Sequence, residues 1–342
     1  MMGTNRFDKF SFWRGKGIYI FMDVPYSCHR VIPIGFIGFF LAKIKGCFFV
    51  CSPSRLILLI ISAALFVSQP GICGTKVETT HFVVDDVYQQ LSADQLERFA
   101  ANAEAAFIKA KDYWSIPGRT AQRGKILLEL HREHFGYAFS VFQMEKTSEG
   151  KRSVVRIYGI KSPQEMVHKL THALFPTSDK LIRNMMGIPT EGRFGNLLSF
   201  PMCGYDVDSW AIALKRSDSY IPLKELGEQH EDWGMTFKGK TPAVSDRKRQ
   251  HASYIEAGSF GTFLINKYGI EKVKAFYLES LREARPWQQI FGLDFSALEG
   301  EWLKSLDESG KTNAHQIDVL EGLWKQNPKT ACDKAQETAT KK

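Results

Sequence analysis

The chain has 342 residues, 44% of them hydrophobic, and a net charge of +8. That length holds one large or two modest domains, and the composition is ordinary for a globular protein. Residues 1–55 carry eight of the 45 basic residues and two of the 37 acidic ones, which leaves 37 against 35 for the rest. A basic leader before a near-neutral body is a targeting pattern, and it argues against a nucleic-acid partner.

The leader also holds the apolar runs. Residues 32–42 are apolar apart from a proline and glycines, and residues 56–67 are all apolar or small. Each is shorter than the roughly 20 residues that cross a bilayer. Arg55, the 56–67 core and the small residues at 71–74 fit a secretory signal peptide. The mature protein is expected to begin near Thr75 and to be exported, periplasmic or extracellular. An uncleaved segment over 32–50 is the alternative, and it would anchor the chain to the membrane. Pro70-Gly71-Ile72 before Cys73 does not make a lipoprotein box. Of the six cysteines only Cys203 and Cys332 fall in the body. Cys332 sits in a polar tail, so no disulfide framework is expected, and neither has the Cys-x-x-Cys spacing of a thiolate zinc site.

In the body, residues 79–84 alternate and are β-branched, which predicts a first strand. Ser92-Ala93-Asp94-Gln95 is a capping box, followed by Leu96, Phe99, Ala103, Ala106, Phe107 and Ala110 at helical spacing. Strands are predicted over 125–130 and 153–158, with a further segment around 137–142. Ser162-Pro163-Gln164-Glu165 opens a helix that stops near Pro176. After Pro189 the chain reads as helices over 191–199, 209–216, 253–267, 270–283 and 295–305, with Tyr268-Gly269 as a stop. Residues 227–250 read as a loop and 327–342 as a disordered tail. The organisation expected is a leader (1–74), an α+β half (75–188), a helical half (189–310), and a helix remnant with the tail (311–342).

The chemistry centres on His168-Lys169-Leu170-Thr171-His172. Residues four apart share a helix face, so two imidazoles can converge on one metal ion. A catalytic zinc site needs a third protein ligand and an open position. Glu191, nineteen residues after His172 and at the start of the next predicted helix, is the candidate.

His168-Lys169-Leu170-Thr171-His172-Ala173-Leu174, then Pro189-Thr190-Glu191-Gly192, then Tyr254-Ile255-Glu256-Ala257-Gly258-Ser259-Phe260 resemble the peptidase-MA-like gluzincin metallopeptidases in order and spacing. Tyr268-Gly269-Ile270 and Leu298-Glu299-Gly300-Glu301-Trp302 extend the likeness over about residues 79–306. The resemblance implies an α+β zincin-like fold, zinc held by His168, His172 and Glu191, and a peptide or protein segment in the cleft. Tyr254 would donate to the developing oxyanion; packing at the core edge is its other reading.

In the family pattern H-E-x-x-H, the glutamate after the first histidine is the general base. Here that position is Lys169, and a protonated ammonium cannot take a proton from water. Loss of a general base typically costs about 10²–10⁴ in rate. A lysine neutralised by the metal's field is one substitute. Glu165, on the same helix face one turn earlier, is another, although its place in the capping box gives it a structural role, as would an ion pair with Lys169. His131-Arg132-Glu133-His134 follows a strand and lacks a third ligand, and His251 reads as exposed in a polar run. Trp210, Trp233, Trp287 and Trp302 read as packing residues. The expectation is an exported gluzincin-type homologue that binds zinc and is catalytically impaired, a pseudopeptidase. An active enzyme with an unorthodox base and a metal-free envelope scaffold are the alternatives.

Overall fold

The computed structural model describes residues 75–115, 124–133, 139–148, 150–160, 166–238, 241–310 and 313–341. The leader, Glu165 with its capping box, and His134 lie outside the described residues. No described helix is long and apolar enough to cross a membrane. Residues 74–342 form a unit of their own, a mixed α+β structure with a small sheet followed by a mostly helical half.

The first predicted strand is two: β1 (Thr75–Glu78) and β2 (Phe82–Asp86), paired antiparallel across a bend. Helix α1 (Ala93–Trp114) starts at the predicted box, where Gln95 N–H donates to Ser92 Oγ and Ser92 N–H to Gln95 Oε1. It buries Leu96, Ala100, Ala103, Phe107, Ala110 and Trp114 at helical spacing and carries the chain to β3 (Ile126–His131), parallel to β2. The hairpin of β4 (Phe139–Thr147) and β5 (Gly150–Tyr158) completes a sheet of order β1-β2-β3-β5-β4. Phe82, Val84, Ile126, Leu128, Leu130, Val155 and Ile157 fill the inner face. The outer face carries charge, with Arg156 held between Glu129 and Glu145. This alternation is that of a sheet with one packed and one wet face.

Helix α2 (Met166–Leu174) is buried from Val167 to Leu174 on every side, with His168, Lys169, Thr171 and His172 inside it. Helix α3 (Lys180–Phe194) departs from expectation: it runs straight through Pro189, so Glu191 closes this helix rather than opening another, and 195–199 is irregular. The expected boundary at 188/189 therefore falls inside a helix. A proline in a helix interior cannot donate to the carbonyl four residues back, here that of Met185. Gly261 of α5 (Arg247–Tyr268) comes up against this carbonyl: a Cβ at Gly261 would sit 1.9 Å from Met185 O. The freed oxygen meets a neighbouring backbone, a contact open only to glycine. Gly258, one turn earlier, packs on the Ile188 side chain, where a Cβ would lie 2.4 Å from Cγ2.

Helix α4 (Val207–Arg216) precedes the 227–250 region, which was expected to be loop. It contains a short hairpin of β6 (Met235–Lys238) and β7 (Thr241–Val244), and α5 begins earlier than predicted, at an Asp246 cap. Helices α6 (Ile270–Ser280), α7 (Trp287–Phe291), α8 (Phe295–Ser309) and α9 (Ala314–Gln326) follow, with Gly269 at the α5–α6 junction in a left-handed conformation. The four named tryptophans are buried, as read.

The tail corrects the sequence reading most clearly. Residues expected to be disordered form α10 (Ala331–Thr340), and Cys332 is disulfide-bonded to Cys203, with Cα atoms 5.3 Å apart. Cys332 sits on the buried face with Ala331 and Ala335, and Gln336 donates to the Leu198 carbonyl. The bond spans 129 residues of sequence, and the pairing was invisible because the tail's few apolar residues lie on one narrow stripe.

Cys332→Ser is expected to lower unfolding stability by about 2–5 kcal/mol and to expose α10 to proteolysis, checked by denaturant melts and limited digestion. Gly261→Ala is expected to cost about 2–3 kcal/mol through overpacking, measured in the same way.

Candidate functional site

Helix α2 lies between the sheet and α3, and Glu191 reaches its backbone. Its Oε2 accepts from His168 N–H at 2.7 Å, and its Oε1 accepts from Asn196 N–H at 2.8 Å and Ser199 Oγ at 3.3 Å. Glu191 is 1% exposed, so these bonds form away from water.

The two imidazoles are neighbours, with ring centroids 4.4 Å apart and nearly perpendicular. His168 Nε2 lies 2.9 Å from Asn184 Oδ1; an amide oxygen only accepts, so this nitrogen carries the proton. Gly187 makes room for the ring, since a Cβ there would lie 2.2 Å from His168 Cδ2. His172 touches Phe142 of β4, and its buried Nε2 has no hydrogen-bond partner among the described residues. Burial holds its pKa well below the ordinary histidine range, and His168, Lys169 and Arg183 add to the effect.

Lys169, which the resemblance puts at the base position, is buried, with Nζ 5.6 Å from the centre of the Tyr254 ring, a cation–π distance. Tyr254 itself packs on Phe200, Trp233 and His168, and its hydroxyl points to Met235 Sδ at 3.6 Å. Two further cations gather nearby. Lys180 is buried and its pKa is pulled down to about 7, chiefly by burial and then by Arg183. Arg183 is also lowered by burial, and its buried Nε has no hydrogen-bond partner among the described residues.

The fold thus brings His168, Lys169, His172 and Tyr254 together, and sets Glu191 against the backbone of the same helix. As arranged, the three ligand candidates do not fit a zinc ion. Glu191 has both oxygens on N–H and hydroxyl donors, His168 Nε2 is spent on Asn184, and Lys169 and Arg183 add positive charge where a dication would sit. Asn184, Arg183 and Lys180 were missed by sequence reading; their one signal is polarity at helix positions that α2 and the sheet cover.

Among the described residues, the group of histidine, cysteine and acid donors close enough to share an ion is Cys203, His251 and Cys332, where the sulfurs are already bonded to each other. His251 is not exposed, as had been expected. It is 2% exposed, its Nε2 donates to the Pro201 carbonyl at 3.0 Å, and its ring packs on Trp210 and Trp324. Burial pushes its pKa down to about 4. His131 ends β3, stacked on Tyr158 and beside Glu129.

No protein-family model, curated protein or solved structure matches the chain.

Glu191→Gln is expected to destabilise the metal-free protein by about 1–3 kcal/mol, because an amide presents its NH₂ to one of two backbone donors. Urea melts in chelator would check this; a ligand role alone would leave the metal-free melt unchanged. His251, neutral in the fold and with its pKa lowered from 6.5 to about 4, takes up a proton more readily when unfolded. Its contribution is complete above pH 6.5 and is lost as the pH falls towards 4. His251→Asn is expected to flatten the stability–pH curve over that window by up to about 3 kcal/mol relative to wild type.

Proposed function

We propose that the chain is an exported, catalytically silent gluzincin-like protein, a pseudopeptidase that binds a peptide segment without cleaving it. One observation carries the reading: where the resemblance puts the base, the chain has a buried lysine, Lys169, with Lys180 and Arg183 close by, and no described carboxylate takes its place. A hydrolytic site needs a group that accepts a proton from water; the Arg183 guanidinium cannot, and a lysine can only in its neutral form. What remains suits binding. Strand β4 has β5 on one side and no described strand on the other, and its Phe142 lies against His172. An extended peptide can add to such an edge through main-chain hydrogen bonds. The Cys203–Cys332 disulfide supports export, since such bonds persist in oxidising compartments.

The second reading, a zinc-binding homologue, is favoured by the unsatisfied His172 Nε2 and by the low pKa that keeps this imidazole neutral, the form that binds metals. In that reading His168 and His172 would hold the ion with Glu191, after Glu191 and Asn184 let go of their present partners.

The expected result for the full chain, dialysed without chelator, is well below one zinc per protein and no peptide cleavage above that of His172→Ala. About one zinc per chain, lost in His172→Ala, together with turnover that Lys169→Glu raises, would replace the proposal with the zinc-enzyme reading.

A further inference from the structure

A cavity of about 970 Å³ opens between the sheet and the turn that joins α2 to α3. Residues 142–144 of β4 line it consecutively. Successive strand residues point to opposite faces, so the cavity follows the strand's edge, where no described strand pairs, rather than one face. Its wall also carries Lys125, Lys151, Arg152 and Arg183, and no carboxylate among the described lining residues. Phe142 and Arg183 tie it to the histidine pair, since Phe142 touches His172 and Arg183 helps hold that imidazole neutral.

The acids nearby are already engaged. Glu78 pairs with Lys125 at 2.8 Å and feels Arg152 more weakly. Glu145, opposite Arg152 across the hairpin, is bonded to Arg156. Asp179 is held by Arg285 at 2.6 Å. Lys151 stands directly opposite Lys146, a like-charge cross-strand pair that costs stability unless something negative lies between or beside it. Neither Lys151 nor Arg152 has a salt-bridge partner among the described residues. Phe142 is the one aromatic ring among the described lining residues, a poor platform for stacked bases.

We propose that this cavity is an anion-selective peptide site, which takes an acidic segment of a protein partner laid along the β4 edge. The main chain of the segment would pair with β4, and its Asp or Glu side chains would meet Lys151, Arg152 and Arg183. This inference rests on the peptide-binding reading above and names the ligand's class.

The test is fluorescence anisotropy of the full chain, in chelator, with two labelled decapeptides: alternating Glu-Val, and the same peptide with Gln for Glu. The Glu peptide is expected to bind about tenfold or more tighter, with an advantage that shrinks with salt. Lys151→Glu with Arg152→Glu should erase the preference, and Lys151→Gln with Arg152→Gln should reduce it; both change residues at the hairpin's wet end, and thermal melts would show that they fold. Arg183→Gln should weaken the Glu peptide selectively. Equal binding of the two peptides would overturn the anion selectivity and leave the peptide-binding reading standing. Binding of neither would sink both. Displacement of the Glu peptide by inorganic phosphate at matched charge concentration would reduce the site to a general anion sink and overturn the proposal.

Discussion

Helix α2 is buried on every side from Val167 to Leu174, so its polar contacts are made away from water. The carboxylate of Glu191 bonds its backbone at His168 and, through the other oxygen, the turn after α3 at Asn196 and Ser199. One side chain thus joins the helix that carries the histidines to the segment that leads towards Cys203. The contact of Pro189's freed Met185 carbonyl with Gly261 then fixes α3 against α5, and α5 brings Tyr254 to the histidines. Two of these links use backbone groups, the His168 N–H and the Met185 carbonyl, that burial keeps from water.

The electrostatics follow from the same packing. A metallopeptidase cleft concentrates positive charge in an ion and balances it with carboxylates. Here the positive charge belongs to the chain itself, on Lys169, Lys180 and Arg183, while Glu191 is withdrawn to the backbone. Burial lowers the pKa of Lys180 and of His172 first, and the neighbouring cations lower both further. Negative charge arriving from outside would offset the effect of those cations, and the basic cavity beside β4 gives such charge a way in.

On the far side of α5, the C-terminal helix closes the structure. The disulfide, the buried stripe of Ala331, Cys332 and Ala335, and the bond from Gln336 to Leu198 pin α10 to the loop that Glu191 organises. His251 lies beneath this junction and contacts Phe200, which in turn packs on Tyr254. The aromatic nest therefore couples the tail to the centre by contact.

The sequence by itself determined the local elements that carry their own signals. These are the Ser92–Gln95 box and its apolar stripe, the β-branched strands, the stop at Gly269, and the pairing of His168 with His172 on one helix. Each depends on neighbours within about one or two turns, where spacing fixes which side chains meet. Tertiary structure decided the rest. Pro189 is a helix breaker by local rule, and it became a helix interior because a glycine 72 positions later covers the carbonyl it frees. The polar tail folded because Cys203 and a matching surface were waiting for it. Glu191 has the spacing of a metal ligand, but its oxygens went to the nearest unsatisfied donors, and spacing cannot say which donors burial will leave without water.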